Sequence, residues 1–423
     1  MKITEEILYF AWQYGLFNRE KLYTVKGEKV KIISLGIRNN DSGPDIFGAR
    51  IKIGNYIWAG NVEIHLKASD WFKHNHHLNK AYNNVILHVV ADYDITSKHK
   101  NYNLNTIILP INNSLLNKYS EFIKSKSFIP CASYAESVHT FVKSHMIYRT
   151  AMERLVEKSN KILETNRQNN GDWNETFYKT LARYFGTPQN TSTFEQLANN
   201  LPLKILAKHK NNIIQLEALL FGVANLIPEK PKDEYSHMLK SEWKFLQKKY
   251  KLNTLEHHQW KFMRMRPANF PTIRISQFAK LIEKSSSLFS KIISAYSNND
   301  LKKLLQTKTS EYWEEHYTFH KKSSRREKKT GKNFIDILII NAIAPSIFAY
   351  GSHTDNSFLK DKALTLWELT DAENNKITQK FKQTHFPLKS ALFSQGLLSL
   401  KHNYCNQNKC LYCIIGHKIF KTT

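Results

Sequence analysis

The sequence predicts an α+β protein with a strand-rich N-terminal part and a longer helical remainder. Within residues 47–90, apolar and polar residues alternate or form short β-branched runs, which is typical of strands. From about residue 115 onward, apolar residues recur with the 3.6-residue period of amphipathic helices, and no fixed repeat length is visible. The predicted domains are residues 1–125, residues 126–400 and a cysteine-rich tail, residues 401–423.

The N-terminal elements follow from these periods. The first helix is apolar on most sides and is therefore predicted to be buried, with Glu5 and Glu6 in its first turn, where they suit the helix dipole. Gly54 and Asn55 form a turn between two strands. The predicted elements are a helix, Ile3–Phe17, the strands Val30–Leu35, Phe47–Ile53 and Tyr56–Ala68, a short helix, Leu78–Tyr82, and the strands Asn84–Val90 and Thr106–Ile111.

The helical part contains several amphipathic segments separated by glycine and proline. Breaks are expected at residues 186–188 and 228–231, where Gly and Pro interrupt the pattern. The predicted helices are Phe141–Leu163, Asn174–Phe185, Asn212–Leu226, Tyr235–Tyr250 and Ile275–Tyr296.

The composition is strongly basic. The 62 Lys and Arg residues outnumber the 36 Asp and Glu residues, which gives a formal net charge of +26. This excess favours a polyanion such as DNA or RNA as a partner, although the charge is diffuse and also fits a composition rich in lysine and asparagine. No run of about 18 apolar residues is present, and the N-terminus lacks the pattern of a signal peptide, so the chain is expected to be cytoplasmic with no membrane span.

The densest group of acidic and histidine residues lies in the predicted strands. Glu63, His65 and Lys67 are two residues apart and therefore share one face of a strand. Asp45 follows the turn pair Gly43-Pro44, at the start of the preceding strand. Two carboxylates beside a cationic or imidazole group suggest a Mg²⁺ or Mn²⁺ site that activates water, with His65 or Lys67 assisting. The alternative is an exposed polar strand face with an aspartate in a turn.

Further polar residues follow the same strand. Asp70 and His74 are candidate additional ligands, and His74 with His76 could bind Zn²⁺ or Mn²⁺ together with Asp70 and Glu63. Alternatively, Asp70 is the N-cap of a short turn. We interpret His76 and His77 as surface residues. His88 lies in an apolar strand and is predicted to be a core histidine.

Arginines alternate with aromatic residues between Trp260 and Arg274. Arg264, Arg266 and Arg274 are candidate nucleic-acid-binding residues, because arginine pairs with phosphate and aromatic rings stack on bases. Equally, this segment could be a rigid loop whose arginines bind groups within the fold. Residues 320–332 form a basic run that we interpret as a solvated loop, with a loop that follows a nucleic-acid backbone as the alternative.

The four cysteines are distributed unevenly along the chain. Cys405, Cys410 and Cys413 follow a C-x4-C-x2-C pattern, and Cys131 stands 274 positions before Cys405. In a protein that is not exported, four cysteines favour a metal site over disulfides, and four thiolates would suit Zn²⁺ or an iron–sulfur cluster. His417 is the substitute ligand if Cys131 is distant. The alternative is that the cysteines are buried thiols without a ligand.

The residues Pro44-Asp45 and Glu63-Ile64-His65 resemble the PD-(D/E)xK signature of the restriction-endonuclease-like nucleases. The resemblance implies an αβββαβ core, with the Asp and Glu holding a metal ion that serves nucleic-acid cleavage. The sequence departs from this pattern at the last position, because His65 stands where the signature has lysine. Lys67 lies on the same predicted face and could take that role. The resemblance also implies that a glutamate of the first helix can join the metal site, as in some nucleases of this superfamily, but we favour the helix-dipole interpretation of Glu5 and Glu6.

A second resemblance covers nearly the whole chain. The segments GPD, GNVEIH, SDW with two histidines after it, YNNVILHVV, RPANFPTIR and the terminal cysteines resemble a bacterial family known only as a domain of unknown function, the 2851 family. The sequence therefore predicts a metal-dependent nuclease-like protein. The alternatives are a catalytically degenerate nuclease fold that binds nucleic acid or acts as a scaffold, and a metallohydrolase of another substrate class that uses the histidines.

Overall fold

The computed structural model describes residues 3–39, 41–96, 99 and 102–421. The chain divides into two compact units. The first unit comprises residues 1–146, 380–387 and 400–423, and the second comprises residues 147–379 and 388–399. The cysteine-rich tail therefore groups with the N-terminal residues, and so does the segment after residue 125 that contains Cys131.

The strands occur mainly in the first unit, and the helices dominate the second. The strands are β1 Val30–Ser34, β2 Ile37–Arg38, β3 Ile46–Ile53, β4 Tyr56–Lys67, β5 Val85–Asp92, β6 Thr106–Ile108, β7 His316–Thr318 and β8 Lys321–Lys322. The α-helices are α1 Glu5–Tyr14, α2 Asp70–Lys73, α3 Asn113–Lys124, α4 Thr140–Gln168, α5 Trp173–Phe185, α6 Thr187–Asn200, α7 Leu203–Lys208, α8 Ile213–Val223, α9 Glu234–Tyr250, α10 Pro271–Lys284, α11 Leu288–Ser294, α12 Asn298–Leu305, α13 Lys332–Leu338, α14 Ala344–His353, α15 Ser357–Leu369, α16 Lys376–Gln383, α17 Ala391–Ser399 and α18 Ile414–Lys421.

The sheet of the first unit is mixed. Its strands run in the order β1-β3-β4-β5-β6, and β2 pairs with β3. The pairs β1–β3 and β3–β4 are antiparallel, whereas β4–β5 and β5–β6 are parallel. A parallel pair requires a crossover between its strands, and residues 70–82 supply it with α2 and two short 3₁₀ turns. In this register Glu63 of β4 lies beside His88 of β5.

The core of the first unit lies between the sheet and α1. Helix α1 packs against β4, and its residues Ile7, Leu8 and Trp12 are fully buried, as are Val62 and Ile64 on β4. The helix ends at Gly15, whose φ of 64° is the left-handed conformation that favours glycine at a helix C-terminus. This packing holds the polar residues of β4 in a fixed position relative to α1.

The second unit is built around a large helical core. Its fully buried large side chains include Trp313, Trp367, Phe185, Phe194, Phe221 and Phe278. The short hairpin of β7 and β8 also belongs to this unit, so the prediction of a purely helical part is wrong at residues 316–322. Residues 332–353 form a helical run with a mean hydropathy of 1.7 that is long and apolar enough to cross a membrane, and 83% of its apolar window is buried inside the protein.

The α+β class predicted from the sequence is confirmed, and most element boundaries agree within a few residues. The single predicted helix Ile275–Tyr296 is wrong, because α10 and α11 are separate helices. Three consecutive serines, residues 285–287, break the run, and Ser287 has a φ of 56°. The predicted short helix Leu78–Tyr82 is also wrong, because residues 70–82 form α2 and two 3₁₀ turns instead.

Candidate metal centre

Asp45 and Glu63 are brought together by the pairing of β3 with β4. The backbone N–H of Asp45 donates to Glu63 Oε2 at 3.1 Å, and the backbone N–H of Ile64 donates to Asp45 Oδ2 at 2.9 Å. Each carboxylate therefore accepts a backbone hydrogen bond from the neighbouring strand, and the two bonds link β3 to β4. Glu63 is only 3% exposed. Water therefore solvates its carboxylate poorly, and the charged form is disfavoured.

Both carboxyl groups are perturbed by this environment. Burial, with a further contribution from the charge of Asp45, raises the pKa of Glu63 to about 8. Burial also raises the pKa of Asp45, although hydrogen bonds from the Tyr9 hydroxyl and the Ile64 N–H and the charge of Arg38 oppose that shift. Two neighbouring carboxyls that cannot easily ionise together form an arrangement that a bound cation would stabilise strongly.

Three imidazoles form a compact cluster beside Glu63. One ring nitrogen from each of His65, His74 and His76 lies within 4.8 Å of the other two. Glu63 Oε1 lies 3.4 Å from His65 Nε2 and 3.2 Å from His76 Nε2. Three imidazole nitrogens and a carboxylate are the donors that Zn²⁺ and Mn²⁺ accept in proteins.

A hydrogen-bonded chain behind His65 fixes the orientation of its ring. His65 Nδ1 lies 2.8 Å from His88 Nε2, and His88 Nδ1 lies 2.6 Å from the Tyr102 hydroxyl. Tyr102 in turn lies 2.6 Å from the hydroxyl of Thr106. Since Nδ1 of His65 is engaged by His88, Nε2 is the nitrogen that faces Glu63, and His74 Nδ1 lies 3.3 Å from it. Such supporting contacts orient metal-binding histidines.

Burial favours the neutral form of His65 and His76 in the cluster and of His88 behind them. Burial lowers the pKa of His65 to about 3 and that of His76 to about 4, and the neighbouring histidines lower both further. Burial lowers the pKa of His88 well below its usual value in the same way. Neutral imidazole is the form that binds a metal ion, so His65 and His76 need to lose no proton on binding near neutral pH, whereas Glu63, whose pKa is raised, would release one.

Helix α1 adds two polar groups to this region. Glu5 accepts a hydrogen bond from the backbone N–H of Leu66. Burial raises the pKa of Glu5; the charge of Asp70 raises this pKa further, and that of His74 lowers it. Tyr9 lies one helical turn later and donates to Asp45. The helix-dipole interpretation of Glu5 is therefore incomplete, because its carboxylate reaches β4 and lies near His74 of the imidazole cluster.

Lys67 and Asp70 have other partners. Lys67 Nζ lies 3.9 Å from Asp94 Oδ2, and the Lys67 side chain is 57% exposed. Asp70 Oδ2 accepts the backbone N–H of Lys67 at 3.1 Å, across the turn between β4 and α2; the N-cap of α2 is Ser69 and not Asp70 as predicted. Of the predicted catalytic residues, the structure therefore brings Asp45, Glu63 and His65 together, while it pairs the Lys67 amine with Asp94.

Some residues of the centre were missed by the sequence analysis. The expectation that His76 is a surface residue is wrong, because its Nε2 contacts Glu63. The core position predicted for His88 is confirmed, but its bonds to His65 and Tyr102 were not foreseen. The spacing of Glu5 and Tyr9 in α1 could have indicated their place in this region, because residues four apart lie on the same face of a helix.

The candidate arginines divide into two kinds. Arg274 is 6% exposed and lies over the ring of Phe334 at 3.5 Å, and its guanidinium donates to Gln277 at 2.8 Å and Asn269 at 2.6 Å. These contacts fit the alternative of an arginine that binds groups within the fold. Arg264 and Arg266 are exposed.

In the basic run of residues 320–332, Lys328 is also buried and donates to backbone carbonyls, so this run is not wholly solvated.

The fold and this cluster define the class of the molecule as an α+β protein with a candidate histidine–carboxylate metal centre. The chain belongs to the family described as "Protein of unknown function (DUF2851)", which it matches over residues 5–376. No curated protein and no solved structure matches the chain. The family predicted from the sequence is therefore confirmed, and its description assigns no activity.

Proposed function

We propose that this protein is a metal-dependent nuclease whose ion is held by Glu63 and the three imidazoles of His65, His74 and His76. The observation that carries the proposal is the cluster of the three imidazoles, with the buried Glu63 carboxylate beside His65 and His76. Because three donors are nitrogen, the set favours Mn²⁺ or Zn²⁺ over Mg²⁺, which prefers oxygen ligands. Mn²⁺ is the ion that suits both this donor set and phosphodiester hydrolysis.

A bound ion would polarise the scissile phosphate and lower the pKa of a bound water. In this proposal Asp45 accepts a proton from that water, which is supported by the position of its carboxylate beside Glu63 and by its hydrogen bonds from the Ile64 N–H and the Tyr9 hydroxyl. His88 and Tyr102 keep the His65 ring oriented.

Two further features support nucleic acid as the substrate class. The net charge of +26 favours a polyanionic ligand. The strand arrangement also agrees with a restriction-endonuclease-like core, since the antiparallel strands β1, β3 and β4 are followed by a crossover and the parallel strand β5. In that core, the aspartate opens the second of these strands and the glutamate lies on the third, as Asp45 and Glu63 do.

One observation favours the alternative of a degenerate nuclease fold that binds nucleic acid without cutting it. The signature lysine is replaced by His65, whose pKa is lowered to about 3 by burial, so this position carries no positive charge near neutral pH. The amine of Lys67 pairs with Asp94. Neither residue therefore offers a free cationic group beside Glu63, and that charge would have to come from the metal ion or from Arg38, whose charge acts on Asp45.

Cleavage assays with defined substrates test the proposal. Purified full-length protein is incubated with single- and double-stranded DNA and RNA in the presence of Mn²⁺, Mg²⁺ or Zn²⁺. We expect Mn²⁺-dependent cleavage by the wild-type protein, and a loss of at least about a hundredfold in Asp45→Ala and Glu63→Ala, because both remove a group of the proposed reacting centre. Glu28→Ala is the matched control, since Glu28 is an exposed carboxylate of the same unit.

The outcomes separate the alternatives. Wild-type protein that binds nucleic acid and cleaves nothing with any of these ions would support the scaffold function. Tight Mn²⁺ or Zn²⁺ binding without nucleic-acid binding or cleavage would support a metallohydrolase of another substrate class. Equal cleavage by the wild type and both carboxylate variants would overturn the proposed centre.

A further inference from the structure

The cysteine-rich tail is folded into two tight turns. Cys405–Gln407 and Cys410–Tyr412 are 3₁₀ turns, joined by Asn408 in the left-handed conformation with a φ of 52°. The Lys409 N–H donates to the Tyr404 carbonyl at 3.0 Å, which closes the first turn. Helix α18 packs so closely that a Cβ on Gly416 would lie 2.2 Å from the Cys410 carbonyl oxygen, so this position requires glycine.

Contacts on both sides of Cys131 bring that residue to the tail. On one side, Lys401 Nζ donates to the Phe128 carbonyl and lies 4.6 Å from the centre of the Phe128 ring. On the other side, the ring of Tyr134 lies 5.7 Å from that of Phe122, which in turn lies 5.0 Å from the ring of Phe420. The segment that carries Cys131 is therefore fixed against the residues that precede and follow the cysteine trio.

All four thiols lie in one buried region of the first unit. Cys131, Cys410 and Cys413 are each 8% exposed, and none of the four cysteines forms a disulfide. Burial raises the pKa of Cys131 and Cys405, and it raises that of Cys410 to about 12. Every pair among the four thiols also interacts electrostatically, which shows that the group is mutually close.

The thiols are nevertheless spaced more widely than the imidazoles. Among the residues that the structure describes, the three histidine nitrogens lie within 4.8 Å of one another, and no three of the cysteine sulfurs do. A single Zn²⁺ would hold four sulfurs at ~3.8 Å from one another, since the Zn–S bond is ~2.3 Å and the geometry is tetrahedral. An iron–sulfur cluster separates its cysteine ligands further, because they bind different iron atoms.

We propose that Cys131, Cys405, Cys410 and Cys413 bind an iron–sulfur cluster that fastens the C-terminal tail to the segment around residue 131. Each thiol gives up its proton to solvent as its sulfur binds iron. Two cations lie close enough to favour the thiolates, Lys143 near Cys131 and Lys401 near Cys405. The cluster is separate from the histidine–carboxylate centre, and its existence does not depend on nuclease activity.

Metal and sulfide analysis of anaerobically purified full-length protein tests this proposal. We expect equal amounts of iron and acid-labile sulfide, about two or four of each per chain, with broad visible absorption that bleaches on reduction. Protein isolated without a cluster is treated with ferrous iron and sulfide before the measurement. About one zinc per chain without iron would overturn the proposal, and so would failure to take up iron and sulfide under these conditions.

Variants identify the ligands. Cys131→Ser and Cys405→Ser are each expected to lower the bound iron to about a tenth of the wild-type content or less, because each removes one of four ligands. Cys405 is the more exposed position, so its variant remains informative if Cys131→Ser fails to fold.

The matched control is Lys409→Ala, in the turn that contains Cys405, and this variant should keep its iron. Glu63→Gln should also keep it, which separates this proposal from the nuclease proposal. Full iron content in either cysteine variant would exclude a four-cysteine site.

Discussion

Glu63 in the first unit and Glu217 in the second are both glutamates buried inside the protein. Glu63 is 3% exposed and Glu217 is fully inaccessible. Burial raises the pKa of both side chains, to about 8 for Glu63 and to about 7 for Glu217. Judged by burial and pKa alone, either residue could be taken as part of a functional site.

Their neighbours distinguish the two glutamates. Glu217 accepts hydrogen bonds from the Ser310 hydroxyl at 2.8 and 2.9 Å and from the Tyr235 hydroxyl at 2.9 Å, so both of its oxygens are occupied by donors of the fold. Glu63 faces the imidazoles of His65 and His76 and a second carboxylate. A perturbed pKa therefore marks a costly buried group, and the chemistry of the surrounding atoms shows whether that group can bind a ligand.

The largest expected difference between the two glutamates is in metal binding. Glu63→Gln should weaken Mn²⁺ binding by more than about a hundredfold, because it removes a proposed direct ligand and even outer contacts of a metal site contribute about 10–100-fold. Glu217→Gln should leave Mn²⁺ binding unchanged. Titration calorimetry on both variants and the wild type measures these affinities.

The two variants serve as controls for each other, since each neutralises one buried carboxylate without changing its size. Circular dichroism establishes that both are folded. Equal losses of Mn²⁺ affinity would show that the effect arises from general destabilisation, and the distinction between the two sites would then fail.

The second expected difference concerns stability as a function of pH. The pKa of Glu217 is raised above its unfolded value of 4.5 to about 7, so the folded state binds more protons between these values. The contribution of Glu217 is therefore fully present below pH 4.5 and is lost as the pH rises through 7. Between pH 5 and pH 7, wild-type protein should lose about 2 kcal/mol more unfolding free energy than Glu217→Gln.

Urea unfolding of the two proteins at a series of pH values measures this difference. Comparison of the same two proteins at fixed pH removes the contribution of the other titrating groups. Parallel stability curves for the wild type and Glu217→Gln would contradict the prediction, and would indicate that the carboxyl of Glu217 has the same pKa in the folded and the unfolded protein.

The sequence was most informative where local periodicity determines structure. The alternation along β4 placed Glu63 and His65 on one face, and the turn before β3 placed Asp45 near them. His76 was misjudged because its position depends on the path of two irregular 3₁₀ turns, which have no periodic pattern. The pairing of Glu63 with His88 depends on the register of two parallel strands joined by a crossover, and no local signal fixes that register.

Lys67 shows a different limit of sequence reasoning. Its position on the same strand face as His65 was expected to direct its amine to the same site. A long side chain at the end of a strand can nevertheless bend toward solvent, and here the amine pairs with Asp94, which lies beyond β5. Strand alternation determines the face from which a side chain departs, but the charged groups nearby determine where the end of that side chain lies.

The smallest expected effect is therefore that of Lys67→Ala. The Lys67–Asp94 pair is exposed, so its loss should change the unfolding free energy by less than about 1 kcal/mol. Mn²⁺ binding and cleavage should change by less than about threefold, whereas His65→Ala, two residues away on the same strand, should weaken Mn²⁺ binding by more than about a hundredfold. If Lys67→Ala instead abolished cleavage while Mn²⁺ affinity stayed constant, the amine must leave Asp94 when substrate binds. Lys67 would then supply the positive charge that the signature lysine provides in restriction-endonuclease-like enzymes, and His65 would serve the metal ion alone.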